Sequence, residues 1–123
     1  FHGAAMKGPD GLQIPAYELF VGGNYGGKRH EDTRFGQRLP GVKVPAKRVP
    51  QVIKHIAGFY KESRQEDEEF NAFIDRVGIE PIVDIVGQHR EVGALSRETM
   101  DLYMDWKKTD IYKLERGEGE CAV

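Results

Sequence analysis

The residues best placed to do chemistry lie at the end of the stretch Ala16–Gly27, which reads AYELFVGGNYGG and is followed at once by Lys28 and Arg29. Glycines of this density bring the backbone close to a partner or turn it sharply, and the two cations favour an anionic partner. Gly22 and Gly27 match a phosphate-binding loop up to its last position, where Arg29 replaces the required Ser or Thr. No apolar stripe of a helix follows, so an ordinary glycine loop is favoured over nucleotide binding.

The potential metal ligands are dispersed along the chain. The four histidines, His2, His30, His55 and His89, form no His-x-x-x-His pair, and Cys121 is the only cysteine. A zinc site needs paired ligands, and an iron–sulfur cluster takes about four thiolates, so these residues alone predict neither. One thiol also cannot form an internal disulfide, so nothing indicates an oxidising compartment.

The sequence shows no complete catalytic constellation. It has no serine in a Gly-x-Ser-x-Gly elbow and no histidine close in sequence to the cysteine. Six acids between positions 62 and 75 cluster where a helix begins, and a solvated helix face explains them. We therefore predict neither catalytic residues nor a metal site within the chain.

Composition predicts one soluble domain of modest core. The chain has 123 residues, 39% hydrophobic residues, a net charge of −2 and a mean hydropathy of −0.56. It lacks a membrane-spanning apolar run and a signal-peptide-like start, so we expect a cytoplasmic protein with no membrane partner. The net charge of −2 argues against a general nucleic-acid binder, so we expect no nucleic-acid partner. The segment 28–54 carries eight Lys and Arg against two acids, which indicates either a solvated surface or a face for an anionic cofactor or partner.

The strands that position the glycines can be read from the alternation of apolar residues. Phe1–Met6 and Ile14–Val21 predict a hairpin around the turn-forming Pro9-Asp10-Gly11. An extended loop follows over 22–41, and 42–48 predicts a short edge strand because Pro45 removes a ladder donor.

Helices follow the strands. Pro50 opens a helix with an apolar stripe, a second helix begins near Asp67, and Pro81 opens a third that Gly87 stops. Positions 96–106 predict a short helix capped by Ser96, and 107–123 predict a tail. The predicted fold is α+β: a small, mainly antiparallel sheet with helices on one face. The chain begins at Phe1 without a polar lead-in, from which we expect the C-terminal piece of a longer protein.

Four runs of this sequence resemble the C-terminal part of the sirohaem nitrite and sulfite reductases. They read FHGAAM, YELFVGGN, LPGVKVPAKRVPQVI and FYKESRQEDEEFNAFIDRVGIE, and their order and spacing are more specific than any run alone. The resemblance covers about residues 1–86. It implies a C-terminal half-domain over 1–87, followed by an extension or tail over 88–123.

The resemblance implies a parent enzyme that reduces sulfite to sulfide or nitrite to ammonia with sirohaem and a [4Fe–4S] cluster. The family's cluster cysteines and substrate-binding cations lie upstream of the matched part, so the isolated chain is expected to be inactive and to bind no cofactor. Its expected partners are the N-terminal part of the same polypeptide and an electron donor, ferredoxin or a flavoprotein. By the same resemblance, Gly22, Gly23 and Asn24 would line the cofactor pocket, with Lys28 or Arg29 nearby.

Two other interpretations stay open. One is a free-standing module that binds an anion or a partner through the basic 28–54 region, and the other is a scaffold with an exposed sheet surface. An upstream reading frame with a Cys-x-x-x-Cys motif would favour the reductase, whereas a start codon just before Phe1 would favour the module.

Overall fold

Three antiparallel strands in the order β1-β2-β3 form the sheet of the computed structural model, which describes residues 1–26 and 33–113. The strands are β1 (His2–Lys7), β2 (Gln13–Val21) and β3 (Gln37–Pro45). The helices are α1 (Val49–Ser63), α2 (Phe70–Val77) and α3 (Glu80–Gly87), with 3-10 helices at Ala46–Arg48 and Met100–Tyr103. The α+β prediction is confirmed.

The predicted hairpin of β1 and β2 is present, with Ala4 opposite Ala16. Its turn is closed by backbone hydrogen bonds from the Gly8 amide to the Leu12 carbonyl, 2.9 Å, and from the Gly11 amide to the Gly8 carbonyl, 3.0 Å. Gly11 has φ = +81°, which only glycine adopts easily. Local alternation and turn chemistry were therefore enough to predict this unit.

The third strand differs from its prediction at both ends. It begins at Gln37 rather than 42, and Ala46–Arg48 forms a 3-10 helix instead of continuing the strand. The early part of β3 pairs with β2 across a register shift between Glu18 and Phe20, so its pairing is irregular and leaves no simple alternation in the sequence. The loop predicted over 22–41 is correspondingly too long.

The three helices and the sheet enclose one apolar core. Pro50 lies in the first turn of α1 as predicted, and Gly78 ends α2 at φ = +81°. The second helix begins at Phe70, later than predicted, because Asp67 adopts φ = +58° and is not helical. The buried core residues are Leu19, Val21, Leu39, Val42, Val44, Val52, Ile56, Phe73, Ile74, Ile82, Ile85 and Val86.

The segment after α3 packs on the hairpin as far as the structure describes it. In place of the helix predicted over 96–106 there is one 3-10 turn, whose Tyr103 is fully buried and donates a hydrogen bond to the Gly93 carbonyl, 2.8 Å. The Tyr103 ring lies so close to Gly8 that a side chain there would collide with it. The domain division at residue 87 stays an interpretation, and Cys121 lies outside the described residues.

Candidate functional site at the glycine ribbon

Beyond the sheet, β2 and β3 continue as a two-stranded extension, which we call the glycine ribbon (residues 22–26 and 33–36). Asn24 and Arg34 exchange backbone hydrogen bonds of 2.9 and 2.7 Å. Gly22 and Gly26 have φ of +80° and +90°, conformations that strain other residues. Gly22, Gly23 and Gly26, which were predicted to lie in a loop, therefore lie in a paired ribbon. Residues 27–32 lie outside the part of the chain that the structure describes.

The two sides of the ribbon approach too closely for side chains at some positions. A Cβ atom on Gly23 would lie 3.0 Å from the backbone nitrogen of Gly36, and one on Gly36 would lie 3.1 Å from Cβ of Phe20. These contacts explain why glycine is needed at Gly23 without any ligand. Backbone turns and close packing therefore explain part of the high glycine content of this segment.

Side chains from α2 hold the ribbon. Arg34 Nε donates to the Gly22 carbonyl, 2.6 Å, and Arg34 Nη1 lies 3.0 Å from Asp75 Oδ2. Asn71 Nδ2 donates to the Gly23 carbonyl, 3.1 Å. No local pattern predicts these partners, because Asn71 and Asp75 lie more than 40 residues along the chain from the residues they contact.

An apolar groove opens where the ribbon meets α1. Its cavity measures about 610 Å3, within the range of small-molecule sites. Gly22 and Gly23 lie at its ribbon end, and Ile53 and Ala57 on α1 line another part. The remaining lining residues are Phe1, Leu19, Phe20, Val21, Gly36, Ile56, Tyr60 and Phe70.

The groove is made partly from the apolar stripe of α1. From the sequence, the stripe is expected to pack on the sheet through Val52, Ile53, Ile56, Ala57 and Tyr60. Val52 and Ile56 are buried, but Ile53 is 49% exposed and so does not pack on the sheet. Phe20 is 43% exposed beside it. Among residues 1–26 and 33–113, no charged side chain lines the groove, so this part of it can hold an apolar surface.

The predicted cofactor residues do not all meet in the groove. Asn24 lines a separate cavity of about 390 Å3 with Tyr25 and Phe35, two almost fully exposed aromatic residues. The Asn24 side chain accepts a hydrogen bond from the Gly26 amide, 3.0 Å, which shapes the turn. Lys28 and Arg29 lie outside the described residues, and the cofactor role of all five residues stays a prediction.

Many cations of the basic segment serve internal contacts. Arg38 lies 2.8 Å from Glu18, Lys47 lies 2.8 Å from Asp101, and Lys43 donates to the Ala5 carbonyl, 3.1 Å. These pairings use charge that an anion-binding face would otherwise present to solvent.

Over residues 1–26 and 33–113, no three His, Cys, Asp or Glu side chains are grouped to hold a metal ion. None of the helices in that same part of the chain is both long and apolar enough to cross a membrane.

The ribbon, the core and most of the groove lie in a part of the chain that is similar to a known protein family. Searches of curated proteins and of solved structures found no significant match. A family model described as the nitrite and sulphite reductase 4Fe-4S domain matches residues 4–93, well over half of the chain. The chain therefore belongs to the nitrite and sulphite reductase 4Fe-4S domain family.

Proposed function

We propose that this chain is the C-terminal part of a sirohaem-dependent nitrite or sulfite reductase and that it forms a wall of the cofactor pocket. The observation that supports the proposal is the apolar groove, which includes Gly22 and Gly23 and whose described lining residues, apart from Phe1, lie within the family match. In the parent enzyme, sulfite would be reduced to sulfide, or nitrite to ammonia, with six electrons from ferredoxin or a flavoprotein in the cytoplasm.

The residues of this chain do not fit a [4Fe–4S] cluster of their own. Such a cluster is held by four thiolates, and the sequence contains one cysteine, Cys121. We infer that the cluster ligands come from the N-terminal part of the same polypeptide and that the isolated chain is inactive. No role in ligation is assigned to Cys121.

The groove fits sirohaem only as an apolar wall. Sirohaem, when bound, supplies the electron-transfer chemistry at its iron, whereas the protein binds and orients it. Phe20, Ile53 and Ala57 would pack against the macrocycle and exclude water. The carboxylates of the macrocycle need cations, and none is among the groove residues that the structure describes, so Lys28 or Arg29 is the proposed source within this chain.

The experiment fills the groove in the full parent enzyme. Ala57 is exposed and lines the groove, so Ala57→Leu adds volume there with little effect on the buried core. We expect sirohaem content, measured by absorbance per polypeptide, to fall at least threefold. Ala72→Leu makes the same addition at an exposed position of α2 that is not among the groove residues, and its sirohaem content should equal that of the wild type.

Equal sirohaem content in both variants would contradict the proposal. A second arm uses the isolated 123-residue chain, which should show no stoichiometric sirohaem absorbance after reconstitution. A full sirohaem spectrum from the isolated chain would show that it binds sirohaem alone. That result would contradict the proposal that the N-terminal part of the polypeptide is needed to form the cofactor pocket.

A free-standing anion- or partner-binding module is the alternative function. The internal pairing of Arg34, Arg38, Lys43 and Lys47 counts against it, because these cations already contact acceptors within the chain. We therefore favour the reductase.

A further inference from the structure

Two histidines from different parts of the sequence meet on the surface away from the residues that line the groove. His55 lies on α1, and His89 follows the C-terminal end of α3. His55 Nδ1 and His89 Nε2 are 3.1 Å apart, and the rings meet nearly edge to face, with centroids 5.4 Å apart. Without an ion, one ring donates its N–H to the other.

The same separation suits two ligands of one metal ion. Zinc–nitrogen bonds of 2.0–2.1 Å at a tetrahedral angle place the two nitrogens about 3.4 Å apart, a few tenths of an ångström more than in this pair. Imidazole nitrogen is also a preferred ligand of Cu2+ and Ni2+. We propose that His55 and His89 form a two-histidine site for a divalent transition-metal ion, with water at the remaining positions.

Binding requires no unusual chemistry at either ring. Both facing nitrogens must offer a lone pair, so the proton of the shared hydrogen bond moves to the outer nitrogen of its own ring through solvent. The outer nitrogens are then Nε2 of His55 and Nδ1 of His89. No proton is lost overall from a neutral pair, and no electron is transferred.

The backbone fixes one ligand in advance. The His89 amide donates to the Val86 carbonyl, 3.0 Å, and the His89 carbonyl accepts from Arg48 Nη1, 2.8 Å. Arg48 also donates to the Glu91 carbonyl. The fixed backbone lowers the ordering cost of binding, whereas the positive charge of Arg48 opposes a cation. Because the protein supplies only two ligands and Arg48 repels the ion, we expect dissociation constants in the micromolar range. The affinity should be higher for Cu2+ than for Ni2+ or Zn2+.

The test is a calorimetric titration of the full chain with ZnCl2, NiCl2 and CuCl2, with MgCl2 for comparison. The measurements use a His2→Gln, Cys121→Ser background, because the N-terminal amine with His2 and the lone thiol are competing ligands. We expect one saturable site for Zn2+, Ni2+ and Cu2+ but not for Mg2+. His55→Gln and His89→Gln should each weaken binding at least tenfold, whereas Lys54→Gln, beside His55 on the exposed surface of α1, should not.

Circular dichroism of each variant checks that the fold is retained, and NMR of the histidine rings gives a second measurement. Zinc should shift the ring signals of His55 and His89 together. Absence of saturable binding in the background protein, or unchanged binding in both His55→Gln and His89→Gln, would overturn the proposal.

Discussion

Tyr103 is the residue whose replacement best tests whether the segment after α3 belongs to the folded core. Its side chain is fully buried against the hairpin, and its hydroxyl donates to the Gly93 carbonyl, 2.8 Å. Tyr103→Phe removes only the hydrogen bond and should lower the free energy of unfolding by about 1 kcal/mol. Tyr103→Ala also removes the ring and leaves a cavity, so the loss should be about 3–5 kcal/mol.

Urea denaturation of the 123-residue chain measures both losses, and Tyr25→Phe is the matched control because Tyr25 is 88% exposed. The control should change stability by less than about 0.5 kcal/mol. Burial raises the pKa of the Tyr103 hydroxyl, and the negative charge of Asp10 adds to this effect. The free energy of unfolding should therefore fall as pH rises through the raised pKa. The Tyr103→Phe variant, which has no hydroxyl to ionise, should not show this fall. A loss below about 1 kcal/mol for Tyr103→Ala would refute the packing of this segment.

Two further substitutions test the ribbon and the sheet. Gly23→Ala places a Cβ 3.0 Å from the backbone nitrogen of Gly36 and should lower the urea midpoint of unfolding. Gly3→Ala, whose added Cβ has no neighbour within 4 Å among the described residues, should leave the midpoint unchanged. Equal midpoints for the two variants would contradict the close approach of Gly23 to Gly36. The hydrogen bond from Arg38 lowers the pKa of Glu18, so Arg38→Gln should raise that pKa toward the usual glutamate value in an NMR titration. Because the pKa of Glu18 is lowered in the folded state, its pair with Arg38 stabilises the fold at pH values above the pKa of glutamate in the unfolded chain. This stabilisation is lost as pH falls through the lowered pKa. An unchanged Glu18 pKa in the Arg38→Gln variant would count against the pair.

The sequence predicted those elements whose signals are local. The hairpin has alternating apolar residues around a turn, and α1 has Pro50 in its first turn, so neither depends on distant pairing. The start of β3 was missed because Gln37 and Arg38 pair with β2 beyond a register shift. Tyr103 gave no periodic signal, because one buried aromatic residue in a single 3-10 turn has no pattern to repeat.

The candidate site divides in the same way. Glycine density led directly to Gly22 and Gly23, which lie in the groove, but not to Asn71 or Asp75, which hold the ribbon from another element. Long-range contacts of this kind depend on the packing of α2 against the sheet. No spacing along one sequence encodes them.

The position of the ribbon depends more on backbone packing than on charge. Arg34 and Asp75 are 42% and 58% exposed, and an exposed pair of this kind contributes about 0–1 kcal/mol. The Asn24–Arg34 bridge and the close approach of Gly23 to Gly36 are backbone contacts without ionised groups, so screening by salt should not disrupt them. Salt should therefore weaken the Arg34–Asp75 pair without moving the glycine end of the groove. In the proposed reductase, that would keep one wall of the pocket in place while cations elsewhere respond to the charge of the cofactor.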